Sequence, residues 1–568
     1  VISRRDFVQA TIATGILGGG SGGIARAASR QAITQADLLR FEPLGQVTLL
    51  HFTDLHAQLM PLYFREPSVN IGVGADAGLP PHLTGNAFLR KFGITRDTAA
   101  AYAFTSADFS ALAAQYGRMG GLDRMATLIK AIRAERPANT LLLDGGDTWQ
   151  GSYTSLQERG ADMVAAQNLL GIDAMTAHWE FTYGQQRVKE LKAELKAAFL
   201  CGNVKDATWG DRVFDGTKMF ERGGVQIAVI GQAFPYTPIA NPRWMIPDWS
   251  FGIEEDRVQA EVDAARKAGA ELVVLLSHNG FDVDRKLAGR VHGIDVILTG
   301  HTHDAIPHSV MVGNTILTAP GSHGKFLGRL DLAVSGKRVV KHRFRLIPIF
   351  SDAIAPDPAM AELIRELRAP YRSDLERVVA RTDSLLYRRG NFNGTFDDVI
   401  CDALLTERDA QIALSPGFRW GSSLPPGHEI RVEDVYNQTA ITYPAAYRTT
   451  MDGATLKGVF EDVADNLFNP DPYYQQGGDM VRVGGMSYAI DVSKPIGARI
   501  SDMRLANNTP IEATKTYTVA GWASINEGTA GPPIYDVVTN YLERRQVVRV
   551  SDLPTVRVTG ADQRGVAS

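Results

Sequence analysis

The feature that most constrains this chain is a set of short apolar runs, each of which breaks off in residue types that ligate metals. Val296-Ile297-Leu298 leads into Thr299-Gly300-His301-Thr302-His303-Asp304, with two histidines one residue apart. Leu49-Leu50-His51-Phe52 leads into Asp54 and His56, Leu141-Leu142-Leu143 into Asp144 and Asp147, Met175-Thr176-Ala177 into His178, and Val273-Val274-Leu275-Leu276 into His278. Apolar runs of this length, bounded by turn residues, read as buried strands. In an open α/β sheet, ligands gather beyond the carboxyl ends of the strands, where residues distant in sequence converge. Helical spacing over residues 122–136 and 254–268, each before one of these runs, completes a βα alternation. Residues 223–230 and 315–319 add two further strands, and Gly321-Ser322-His323-Gly324-Lys325 reads as a loop.

The donor set consists of carboxylates and imidazoles without a thiolate, which suits a hard or borderline divalent ion such as manganese, iron or zinc. Asp147 is the natural bridge between two ions, because a carboxylate has two oxygens to share and Gly145-Gly146 lets the backbone turn tightly before it. Asp144 reads as a turn residue.

On these residues the chain resembles the binuclear metallophosphoesterases, and in particular the periplasmic 5'-nucleotidase family. Asp54-Leu55-His56, Gly146-Asp147, Ser277-His278 and Gly300-His301-Thr302-His303 look like its first, second, fourth and fifth motifs. The resemblance implies a four-layer α/β catalytic domain, a β-sandwich flanked by helices, followed by an α/β substrate-binding domain. It also implies that Asp54, His56, Asp147 and His303 hold one ion, and Asp147, His178, His278 and His301 the other.

The third motif departs. Where the family reads Gly-Asn-His-Glu-Phe-Asp, this chain reads Ala177-His178-Trp179-Glu180-Phe181-Thr182. The metal-binding Asn has become His178, the catalytic His has become Trp179, and its companion Asp has become Thr182. An imidazole near the metals helps an alkoxide leave phosphorus, whereas an indole neither ionises nor shuttles a proton. A leaving group that departs unprotonated, such as a thiolate or persulfide, fits that loss. The pattern is similar to the SoxB family of bacterial thiosulfate oxidation. That likeness implies two manganese ions that activate water and a cysteine S-thiosulfonate carried on the SoxYZ protein. It also implies release of sulfate and a role for Trp179 in shaping and drying the space beside the sulfonate. Hydrolysis of nucleotides in the periplasm is the alternative.

The rest of the chain is read around this centre. Ser3-Arg4-Arg5-Asp6-Phe7-Val8 and the Gly-rich apolar run after it read as a twin-arginine export signal spanning 1–27, with Ala25-Arg26-Ala27 as cleavage site and a bacterial periplasmic destination. The remaining length is too great for one core. It divides into a catalytic domain over 28–350, a linker helix over 351–379 and a substrate domain over 380–568. A formal net charge of -4 gives no electrostatic case for nucleic acid. The two cysteines, Cys201 and Cys401, fall in different domains and read as buried small hydrophobes. The long connection after His56, rich in proline and aromatics, is placed to cover the site. In the second domain, Leu414-Ser415-Pro416-Gly417-Phe418-Arg419 looks like the family's substrate segment and supplies Arg419 for an anionic group. Tyr443 and Trp522 fall near the family's base-stacking aromatics, and Arg448 is a further anion-binding or docking residue.

Overall fold

The computed structural model describes residues 33–550 and 555–567, so the twin-arginine segment and its cleavage site lie outside the described residues. Two six-stranded sheets dominate the N-terminal half. The first runs Arg338–Pro348, Phe326–Ser335, Val47–Phe52, Thr140–Asp144, Ala174–Met175 and Ala198–Phe199. The second runs Val310–Val312, Thr315–Thr318, Val296–Thr299, Leu272–Ser277, Val225–Gln232 and Thr217–Arg222. The ligand-bearing strands are parallel to one another within each sheet, so their carboxyl ends share one edge.

Alternation along each strand sorts side chains between two cores. Leu49, Leu141, Leu143, Ile227, Val229, Val274, Leu276, Val296 and Leu298 pack between the sheets. Their neighbours Leu50, Leu142, Ala228, Ile230, Val273, Leu275 and Ile297 face outward into a core shared with helices. The helix Leu122–Glu135 contributes Leu122, Met125, Leu128, Ile129 and Ile132 to it, and Glu255–Lys267 contributes Val258, Val262 and Ala265. Both sit within one residue of the helices predicted from spacing. The four-layer arrangement is therefore as expected, and the ligand-bearing strand ends come from both of its facing sheets.

Residues 351–379 are not a single linker helix. The helix Pro358–Arg368 packs against Leu122–Glu135 and Ala161–Leu170 of the N-terminal half, and the short helical turns Ala369–Tyr371 and Arg372–Leu375 then lead into the strand Val378–Thr382. The C-terminal half has a four-stranded sheet in the order Tyr447–Asp452, Thr516–Gly521, Ile412–Gly417, Asp479–Gly484, with two three-stranded sheets beside it. The long connection is not structureless: it carries the helices Gly85–Phe92, Ala99–Phe104 and Phe109–Tyr116. It also reaches the C-terminal half through backbone bridges Tyr63 to Ser423 and Val69 to Val566. No described helix is long and apolar enough to cross a membrane. Both cysteines are buried and free.

Candidate metal centre

The strand ends deliver their side chains as two adjoining groups. Ligand atoms of Asp54, His56, Asp147 and His303 lie within 4.8 Å of one another, and so do those of His178, His278 and His301. Asp147 Oδ2 joins them, standing 3.4 Å from His56 Nε2, 3.2 Å from His178 Nδ1 and 3.8 Å from His278 Nε2. Asp54 Oδ1 is 3.2 Å from His303 Nε2 and 3.6 Å from His278 Nε2. All seven residues singled out from the sequence thus meet at one edge of the two sheets.

The backbone there is bent hard. Asp54, His56, Asp147, His301 and His303 all have φ between 47° and 74°. Non-glycine residues rarely adopt this left-handed region, and each such position costs on the order of 1–3 kcal/mol unless the surroundings impose it. Here they do: Asp54 N donates to Gly146 O, His56 N to Asp147 O and His323 N to Asp54 O. The Glu180 carboxylate accepts from the amides of His178, Asp147, Thr148 and Trp149, and so ties the second and third motif turns together. Gly146 cannot be replaced freely, because a Cβ there would lie 2.8 Å from Thr176 O.

Burial sets the charge state. It holds His56, His178, His301 and His303 well below the ordinary histidine range, with neighbouring imidazoles adding to the effect. Burial lowers His278 too. The same desolvation, reinforced by Asp54, pushes Asp147 well above the usual carboxylate range. Neutral imidazoles are the form that ligates metal. Within the cluster, Asp147 Oδ1, His178 Nε2 and His278 Nε2 are buried without a hydrogen-bond partner. Buried polar atoms are seldom left so. Divalent cations fit this set of nitrogen and oxygen donors.

Around the centre the aromatic residues close in. The Trp179 ring lies 5.2 Å from His178, edge-on to Phe418 at 5.3 Å and stacked on Tyr443 at 6.4 Å. Thr182 Oγ1 donates to Trp179 O, and neither side chain, an indole and an aliphatic hydroxyl, is ionisable near neutral pH. Trp522 donates from Nε1 to Ser415 Oγ and meets Phe418 at 5.5 Å, while Tyr443 OH donates to Ala240 O. Arg448 is directed elsewhere: its Nε donates to the carbonyls of Arg408 and Asp409, a structural tie at the end of the helix Thr395–Glu407.

Arg419 reaches the centre, with Nη1 3.1 Å from Thr302 O and Nε 3.4 Å from Asp479. Arg389, which sequence reasoning missed, reaches the same carbonyl at 2.8 Å and is 2% exposed. Thr302 lies between His301 and His303, so both guanidinium groups stand beside ligand positions. Arg389 Nε is buried without a partner, while Arg389 Nη1 and Arg419 Nε lie 3.8 Å and 3.4 Å from Asp479 Oδ1. The adjacent pair Arg388-Arg389 was the available signal, but only one member faces the site. Arg388 instead pairs with Asp397 at 2.8 Å, under the rings of Phe418, Trp420 and Trp522. His323 is a neighbour rather than a bystander: its ring is 5.3 Å from His56, and its Nε2 accepts from Gly421 N.

Comparison with known proteins agrees with this geometry. The family model "5'-nucleotidase, C-terminal domain" matches residues 378–539. The 5'-nucleotidase of Rattus norvegicus is 26% identical over 453 residues, spanning 71% of this chain and 76% of its own length. The snake venom 5'-nucleotidase of Naja atra is 26% identical over 451 residues, spanning 70% and 83%. Among solved structures, the sulfate thiohydrolase SoxB of Thermus thermophilus, in complex with glycerol, superposes with a TM-score of 0.88 at 36% identity, over 92% of this chain and 98% of that one. A 5'-nucleotidase precursor from Thermus thermophilus shares the fold, with a TM-score of 0.73 at 21% identity over 90% and 99%.

Proposed function

Since the chain belongs to the SoxB family, a branch of the 5'-nucleotidase-like hydrolases, we propose that it hydrolyses a cysteine S-thiosulfonate borne on a SoxYZ carrier protein. Sulfate is released and the carrier cysteine keeps a persulfide. Water supplies the fourth sulfate oxygen, the bond between sulfane sulfur and sulfonate breaks, its electron pair leaves with the persulfide, and two protons pass to solvent.

The observation that carries this reading is the ring of Trp179 beside His178, where the nucleotidase motif has an ionisable pair. With Thr182 bonded to the carbonyl of Trp179, nothing at this spot holds or moves a proton toward a leaving group. An alkoxide then leaves poorly. A persulfide, far more acidic than an alcohol, does not need the help. Trp179, Phe418 and Tyr443 exclude water from the leaving-group side, which strengthens each electrostatic contact within.

Asp54, His56, Asp147 and His303 would hold one divalent ion, and Asp147, His178, His278 and His301 the second. Manganese is the metal proposed, on the family likeness. When bound, two such ions lower the pKa of water and orient it against an anionic target. Arg389, whose buried Nε has no partner, and Arg419, held beside Asp479, would meet the sulfonate oxygens, since guanidinium groups suit forked, charge-assisted hydrogen bonds. Nucleotide hydrolysis is the competing reading, but Tyr443 and Trp522, 8% and 2% exposed, are engaged in protein contacts rather than set open for a base. Export to the bacterial periplasm by the twin-arginine route belongs to the same proposal.

The test is to restore the missing pair. The double variant Trp179→His/Thr182→Asp is expected to gain phosphomonoesterase activity and lose sulfate release. A double variant that gains no phosphatase and keeps full sulfate release would show that Trp179 does not set the leaving group.

A further inference from the structure

Residues 469–478 of the C-terminal half form a strap that reaches back to the metal centre. The strap has its own internal bracing, since Asp471 Oδ1 accepts from Tyr473 N and Gln475 Nε2 donates to Asn469 O. It is also tied to the N-terminal half. Lys286 Nζ lies 2.6 Å from Asp471 Oδ1 and 3.9 Å above the Tyr473 ring. Tyr473 OH donates to Glu255 Oε1 at 2.6 Å, and Tyr236 OH donates to Tyr473 O.

What these ties position is the carbonyl of Gln476, 3.0 Å from His301 Nε2. A carbonyl only accepts, so the proton of neutral His301 sits on Nε2 and the lone pair of Nδ1 is left for the cluster. Gly477 follows with φ 78°, and a Cβ built on it would lie 2.3 Å from His301 Nε2. Phe234 stacks on the imidazole at 4.1 Å. His301 is thereby fixed in both orientation and tautomer by a backbone group from the other half of the chain. Among the described residues, the strap makes no hydrogen bond to Asp54, His56, Asp147 or His303.

We propose that the strap is a positioning element for one of the two metal positions: the His178–His278–His301 position is complete only while residues 469–478 are docked, whereas the Asp54–His56–Asp147–His303 position has no hydrogen bond to the strap and meets it only through His301, whose N donates to Asp54. The inference rests on the metal-centre reading above. Partners that orient a ligating histidine through its second nitrogen typically contribute about 10–100-fold in metal affinity. The strap therefore makes the two positions unequal and couples occupancy of one to the docking of the two halves.

The experiment is titration of the metal-free full chain with manganese, read by stoichiometry and by electron paramagnetic resonance, which separates an exchange-coupled ion pair from an isolated ion. Wild type is expected to take two ions as a coupled pair. Gly477→Ala, whose methyl would press on His301, is expected to weaken one position by about 10–100-fold and leave the other unchanged, so that an isolated-ion spectrum appears at one equivalent. Lys286→Ala/Tyr473→Phe releases the anchors without placing an atom against His301 and is expected to do the same. Two ions at wild-type affinities in both variants would overturn the strap's role, and so would equal weakening of both positions. A wild-type chain that takes fewer than two ions would overturn the metal-centre reading and the strap with it.

Discussion

His278 Nδ1 lies 2.6 Å from the carbonyl oxygen of Gly145, a contact that joins the carboxyl ends of the two sheets. Gly145 directly follows the strand Thr140–Asp144 of one sheet, and His278 directly follows Leu272–Ser277 of the other. The carbonyl accepts the Nδ1 proton, so Nε2 faces the carboxylates of Asp54 and Asp147 with its lone pair. Gly145 has no room for a side chain, since a Cβ there would lie 2.4 Å from Thr53 Oγ1. The glycine pair before Asp147 therefore sets the tautomer of a histidine more than a hundred residues away.

Asp147 is the residue common to both groups. Asp147→Asn keeps the shape but loses the anionic oxygens, and it is expected to weaken both metal positions by ~100-fold or more, beyond the loss typical of an outer partner. Metal titration with circular dichroism of the same sample checks this. Loss of only one ion would show that Asp147 does not bridge.

Glu180 is fully buried and accepts from four backbone amides, at 2.6 Å from His178 N and Thr148 N, 3.2 Å from Asp147 N and 3.3 Å from Trp149 N. Glu180→Ala strands those donors away from water, and unsatisfied buried groups cost about 1–3 kcal/mol each before relaxation. A loss of roughly 3–5 kcal/mol in unfolding free energy is expected from denaturant titration, in line with large single-site effects of this kind. A loss below about 1 kcal/mol would contradict its role in holding the two turns.

Arg389 and Arg419 grip one carbonyl between two ligand histidines. Arg389→Lys preserves the charge but not the fork, and kcat/KM for a sulfonate substrate is expected to fall about 10–100-fold, consistent with about 1.5–3 kcal/mol for a charge-assisted hydrogen bond. Unchanged kinetics would remove Arg389 from the substrate contacts.

The long connection is pinned by His82, whose Nε2 is 2.6 Å from Asp282 Oδ2. Burial opposes protonation of His82, but the Asp282 carboxylate outweighs it and holds the imidazole above its ordinary value of 6.5. Burial likewise opposes ionisation of Asp282, but His82 and Arg285 hold it below 3.8. Stability from His82 is thus complete below pH 6.5 and lost as pH rises through its raised folded value; that from Asp282 is present above pH 3.8 and lost as pH falls through its depressed one. Residues 70–82 are expected to lose protection between pH 6 and pH 9 in amide exchange corrected for intrinsic rates, and His82→Gln is expected to abolish the difference. Equal protection of the wild type at both pH values would contradict the latch.

The metal centre was legible because its residues sit at strand ends, where a continuous apolar run, buried at every position, and the sudden change to Asp and His are both visible in sequence. The two-sheet origin of those strands was not visible, since an isolated apolar run does not reveal its partner strand. The second rank of the site was hidden for a different reason. The carbonyl of Gln476 has no side-chain signature, and Arg389 differs from Arg388 only in which way the irregular backbone before Gly390 directs it. Arg448 shows the converse: a charged residue with the right chemistry, drawn instead to the carbonyls that end a helix. The folding of the long connection into helices was missed because its prolines read as loop, although Thr98 caps the helix Ala99–Phe104 through its side chain.

Under the proposed function, this centre cleaves a sulfur–sulfur bond to a sulfonate rather than a phosphate ester. The most direct measurement incubates the purified, manganese-loaded protein with carrier-bound cysteine S-thiosulfonate and, separately, with nucleoside monophosphates, and follows sulfate and phosphate release. Rapid sulfate from the carrier with little phosphate is the predicted result. Phosphate release without sulfate would contradict it and return the site to nucleotide chemistry.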